Sequence, residues 1–129
     1  MIYTVKMQII KTIKLTPILI DKIKEFCPVR KFTVNSPLFY EGQIPIVAYL
    51  IIKGKISLYK TKKIKNIIKE GNIVGLNELM TNSPSKLNAE VSSDSSLCFL
   101  DKSTMIELLK FENSEISTIL SSIIENAFV

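Results

Sequence analysis

All four glycines of this chain, Gly42, Gly54, Gly71 and Gly75, fall in one central stretch, each beside residues that read as the end of a short strand. Glycine enters positive φ without a Cβ clash, so a chain that reserves it for such places is a compact antiparallel sheet folded by tight connections. The β-type runs between them are Lys31 to Val34, Pro37 to Tyr40, Ala48 to Lys53, Lys55 to Thr61, Lys63 to Lys69, Ile73 to Val74, Asn88 to Ser92 and Ser96 to Leu100. Short strands between turn signals predict a sandwich or barrel. Ile52-Lys53-Gly54-Lys55-Ile56 reads as a hairpin with Gly54 at the unusual backbone angle, and Lys62-Lys63 marks a second, exposed hairpin tip.

Helical spacing flanks this region. Thr16 followed by Pro17 is a helix start, with Ile18, Leu19, Ile23 and Phe26 marking one face and Pro28 ending the helix. Asp101 is placed to cap a helix carrying Met105, Ile106, Leu108 and Leu109 and running to about Phe111. Asn113 or Ser114 then caps a last helix whose apolar stripe is Ile116, Ile119, Leu120, Ile123, Ile124, Ala127 and Phe128. That stripe either folds back onto its own sheet or meets a second copy or partner protein. Residues 1–15 do not separate strand from helix. At 129 residues the chain reads as one mainly β domain with flanking helices: an N-terminal segment and helix over 1–30, the β region over 31–100 and the C-terminal helices over 101–129.

Composition narrows the chemistry. The net charge of +5 comes from lysine, with Arg30 the one arginine. Nucleic acid or an acidic membrane surface suits such a charge, yet phosphate and base readers favour the guanidinium fork, and lysine as solvating surface and strand-edge protection is the preferred reading. Histidine is absent, and Cys27 and Cys98 have no metal-type spacing, which argues against a zinc hydrolase, a metal-dependent cupin enzyme or a Ser-His triad. No paired base and nucleophile emerges, Glu90 and Asp94 reading as strand-surface and loop carboxylates, so an enzyme is not expected. Unpaired cysteines, no signal peptide and no membrane span fit a cytoplasmic setting.

Three segments in order carry a resemblance: Phe32 to Gln43, including Tyr40-Glu41-Gly42; Ala48-Tyr49-Leu50-Ile51-Ile52-Lys53-Gly54-Lys55-Ile56; and Glu70-Gly71-Asn72-Ile73-Val74-Gly75. Together they resemble the cyclic nucleotide-binding domain of the catabolite-activator family and of the regulatory domains of cyclic-nucleotide-gated channels and kinases. The resemblance implies an antiparallel eight-stranded jelly roll with an N-terminal helix and two C-terminal helices. It also implies a phosphate cassette beginning at Gly75, in which backbone amides of a short helix and an arginine hold the cyclic phosphate and a glutamate after the glycine grips the ribose 2′-hydroxyl. The ligand-contacting positions would be Gly75, Leu76, Asn77, Glu78, Ser85, Lys86, Asn88 and Ala89.

At those positions the chain departs from the family pattern. Leu76 stands where the glutamate is usual, Glu78 lies two residues further on, and Ser85-Lys86-Leu87 follows Pro84 where arginine and small residues are usual. Lys86 offers a point charge without the guanidinium fork. The expectation is a cyclic nucleotide-binding-like regulatory domain acting as an interaction or assembly module, with no cofactor required and no ordinary cAMP or cGMP binding. The alternative is a cyclic nucleotide sensor with altered contacts that moves its C-terminal helices. Direct DNA binding is not expected, because no helix-turn-helix segment follows the last helix.

Overall fold

A computed structural model describes residues 13–14 and 17–109 of the chain. Nine strands and three helices alternate along them: β1 (Ile13–Lys14), α1 (Pro17–Lys24), β2 (Val29–Phe32), β3 (Ser36–Phe39), β4 (Val47–Lys53), β5 (Lys55–Lys60), β6 (Lys63–Lys69), β7 (Asn72–Val74), α2 (Leu76–Thr81), β8 (Asn88–Val91), β9 (Ser95–Asp101) and α3 (Lys102–Leu109). The strands form two antiparallel sheets, ordered β1-β7-β4-β9-β2 and β3-β8-β5-β6. This is the jelly roll expected from the sequence, its eight expected strands being β2 to β9 with the two-residue β1 added at the edge of one sheet.

Alternation along the central strands builds two cores rather than one. Ala48 and Leu50 of β4, Ile73 of β7, and Cys98 and Leu100 of β9 face a helix-side core with Ile23, Cys27, Leu76, Leu79 and Met105. Their neighbours Tyr49, Ile51, Val74 and Leu97 face the interior of the roll with Phe39, Ile56, Leu58, Ile68, Leu87, Ala89 and Val91. A strand buried on both faces needs a continuous apolar run, and Ala48-Tyr49-Leu50-Ile51 is one.

Turn chemistry fixes the connections. Gly54, at φ +90°, joins β4 to β5, and a Cβ built there would run into the Ser95 side chain. Thr61 and Lys62, at φ 50° and 66°, make the β5–β6 turn at the expected exposed tip. Asp101 caps α3, its Oδ1 accepting the Thr104 N–H at 2.8 Å.

Three expectations are corrected. The first helix stops at Lys24, four residues before Pro28, because Glu25 and Phe26 turn tightly onto the carbonyls of Lys22 and Ile23. Ile18 and Phe26 are not on its core face but 81% and 48% exposed; the line Ile20, Ile23, Cys27, spaced by three and four, packs inward instead. The first long strand begins at Val29 rather than Lys31, since Val29 already pairs with Cys98. The last helix and its stripe from Ile116 to Phe128 lie outside the described residues.

Candidate functional site

The cassette opens where β7 ends. Gly75 is buried at φ +83°, and a Cβ there would make only ordinary contact with the Phe39 ring at 3.5 Å, so it is the left-handed turn that favours glycine. The one-and-a-half turns of α2 follow. Asn82, also left-handed, ends them by donating its N–H to the carbonyls of Glu78 and Leu79, and the Ser83 N–H reaches Glu78 O at 2.9 Å. Within α2 the Thr81 hydroxyl donates to Asn77 O at 2.7 Å, while Asn77 Oδ1 is buried with no hydrogen-bond partner.

Beyond α2, the segment before β8 is fastened to the turn after β3. Gly42 N–H donates to Ser85 O at 2.7 Å, and Ser85 N–H donates to Gln43 O at 2.8 Å. Gln43 in turn accepts the Tyr40 N–H on its Oε1 at 3.0 Å. Asn88 extends the fastening: its Oδ1 accepts the Glu41 N–H at 2.8 Å and its Nδ2 donates to Tyr59 O at 3.4 Å. Glu41 also pairs with Lys60 at 3.3 Å.

Of the side chains that would serve a phosphate, Ser85 and Asn88 are already engaged within the fold. Ser85, buried, donates its hydroxyl to Leu87 O at 2.6 Å and accepts the Leu87 N–H at 3.2 Å. Leu87 and Ala89 project into the roll interior, whereas Leu76 packs with Ile23 and Met105 on the helix side. Thus Leu76 belongs to the opposite core from the one holding Leu87. Glu78 is half-buried on α2 and Lys86 is exposed. The one arginine is elsewhere, its guanidinium 4.6 Å from the centroid of the Phe99 ring.

No cluster of His, Cys, Asp or Glu suited to a metal occurs among the described residues. Cys27 and Cys98 are buried free thiols; burial, with the Cys98 thiol and the Asp101 carboxylate adding to it, pushes the Cys27 thiol up to about 11. Burial also raises the Tyr49 hydroxyl, which donates to Leu38 O at 3.4 Å. No helix among the described residues is long and apolar enough to cross a membrane.

Sequence reasoning missed two features of this site. The capture of Ser85 by Leu87 had a signal, a serine two residues before the group it binds, as in other serine turns. The separation of Leu76 from Leu87 had none, because both are simply apolar.

Comparisons with known proteins agree on the architecture. The chain is similar in structure to the catabolite activator protein of Thermus thermophilus, at 18% identity and a TM-score of 0.68, over 88% of this chain and 54% of that one, so it spans about half the length of that protein. It is similar to a protein of a cyclic-GMP-dependent signalling pathway that regulates bacterial phytopathogenesis, at 19% identity and a TM-score of 0.74, over 89% and 95% of the two chains. A cyclic nucleotide-binding protein described from Geobacter metallireducens GS-15 matches at 17% identity and a TM-score of 0.61, over 88% and 85%. A search of curated protein sequences finds no match. The family model for the cyclic nucleotide-binding domain matches residues 29–111, more than half of the chain and the whole of both sheets except β1. With the two-sheet roll, the glycine-opened cassette and this match in agreement, the chain belongs to the cyclic nucleotide-binding domain family.

Proposed function

We propose that this domain keeps the regulatory scaffold of its family while working as an interaction or assembly module, without ordinary cAMP or cGMP binding. The observation that supports this reading is the segment after Pro84, where the Ser85 hydroxyl is spent on Leu87 and the Leu87 side chain packs in the roll interior. Each missing charge-assisted contact to a cyclic nucleotide removes roughly 1.5–3 kcal/mol, about a tenfold or larger loss of affinity apiece. The apolar stripe Ile116, Ile119, Leu120, Ile123, Ile124 and Phe128 is the contact surface we assign to a second copy or a partner.

Calorimetric titration with cAMP, cGMP and cyclic dinucleotides tests the first half of this reading, and no saturable heat is expected. Light scattering on the intact chain and on the variant Ile119→Glu/Ile123→Glu tests the second; a monomer in both cases ends the dimer reading. A sensor with altered contacts is the second reading, supported by Asn77 Oδ1, a buried acceptor without a donor, and by the exposed ammonium of Lys86. Saturable binding lost in Lys86→Ala would favour it.

A further inference from the structure

The charge of this chain is concentrated in one hairpin. Residues 55–69 hold six lysines and no aspartate or glutamate, while the rest of the chain has eleven basic residues against twelve acidic ones. The hairpin therefore carries all of the net positive charge, and it holds that charge in an unfavourable arrangement. Register places Lys55 opposite Lys69 and Lys60 opposite Lys63, and like charges directly opposed weaken a sheet. Among the described residues Lys60 is the only one of the six in an ion pair, with Glu41. At the tip, Thr61 and Lys62 occupy the left-handed region, where Asn-Gly would sit without strain and a β-branched threonine does not. Beside the turn, Ile64 is 61% exposed between Lys63 and Lys65.

Two kinds of partner fit this tip poorly. Strand addition at the free edge of β6 is opposed by a break in register between Leu58 and Tyr59 and by Asn66, whose Oδ1 accepts the Ile67 N–H at 2.9 Å. Nucleic acid is usually read with guanidinium forks, the hairpin has no arginine, and a protruding isoleucine gains nothing against phosphates. An anionic lipid surface asks for neither fork nor register. Ammonium groups act there as point charges, their stems lie along apolar material, and an isoleucine among them enters the headgroup boundary.

We propose that the tip of the β5–β6 hairpin docks on an anionic membrane surface, with Lys62, Lys63 and Lys65 against the headgroups and Ile64 in the interfacial layer. This surface is distinct from the cassette, and the inference stands whether or not a nucleotide binds there.

Sedimentation of the intact chain with phosphatidylcholine vesicles, and with vesicles containing about one-third phosphatidylserine, tests it. Binding is expected only to the anionic vesicles and weakens as salt is raised. Each of Lys62→Gln, Lys63→Gln and Lys65→Gln lowers the partition coefficient about fivefold, the triple variant about a hundredfold, and Ile64→Ser about tenfold. All four side chains are exposed, so the variants keep the thermal unfolding midpoint of the parent chain. No binding to anionic vesicles, equal binding to neutral ones, or unchanged binding by the triple variant would overturn the proposal. So would competition by polyglutamate or duplex DNA at concentrations where vesicles are not bound, which would assign the hairpin to a protein or nucleic acid.

Discussion

The Ser85 hydroxyl and the Leu87 backbone close on each other, with O–H to carbonyl at 2.6 Å and N–H to hydroxyl at 3.2 Å. The pair is buried, so neither group has water to fall back on. Ser85→Ala leaves both Leu87 groups unpaired and is expected to destabilise the fold by about 1–3 kcal/mol in urea unfolding. A loss of under half a kcal/mol would mean that the closure matters little.

Leu76 tests which core the cassette serves. It is 3% exposed against Ile23 and Met105, so Leu76→Glu, which restores the residue usual in the family, buries a carboxylate among hydrocarbon. The expected cost exceeds ~3 kcal/mol, and no cyclic nucleotide affinity is gained. A tolerated, nucleotide-binding L76E variant would place this side chain in the roll instead.

Two glycines of similar φ separate backbone strain from crowding. Gly42 at φ +87° has nothing within 4 Å of a built Cβ, so Gly42→Ala costs only the left-handed penalty of ~1–2 kcal/mol. Gly54 at φ +90° meets Ser95 at once, including its Cα at 2.8 Å, and Gly54→Ala is expected to cost roughly 1–3 kcal/mol more. Parallel denaturation curves measure the difference.

Asp101 sets part of the acid limit. The Thr104 N–H, and then the Thr104 hydroxyl, hold its carboxyl below the usual 3.8, so the unfolded chain takes up the proton first as pH falls. The contribution is therefore complete above the ordinary carboxylate range and fades as pH drops through and below 3.8. Asp101→Ala is expected to cost about 1 kcal/mol near neutrality and progressively less in acid, as read from unfolding at a series of pH values.

The Cys27 thiol works in the opposite direction. With a folded value near 11 against a usual 9.0, the native state keeps its proton longer than the unfolded chain, so stability falls as pH rises from about 9 to 11. At pH 8 the native thiol is expected to resist iodoacetamide and to react once the chain is denatured in urea.

Strand limits are legible in the sequence because turn residues stand at their ends: the expected Lys63–Lys69 coincides with β6 to the residue, and the expected limits of β4, β5 and β7 lie within one. The buried face of α1 is not, since the sequence is apolar at Ile18, Leu19, Ile20 and Ile23 and leaves periodicity no clear choice. The scaffold of the cassette was visible in Gly75, and its departures in Leu76 and Ser85. Its division between two cores was hidden because a strand covered on both sides shows no alternation to read.

That division gives β4 the character of a party wall. Ala48 and Leu50 are set in one room and Tyr49 and Ile51 in the next, so a shift of the helices reaches the roll chiefly by moving masonry common to both. The same wall keeps the furnishings of the two rooms apart: Leu87 belongs to the roll side and Leu76 to the helical one.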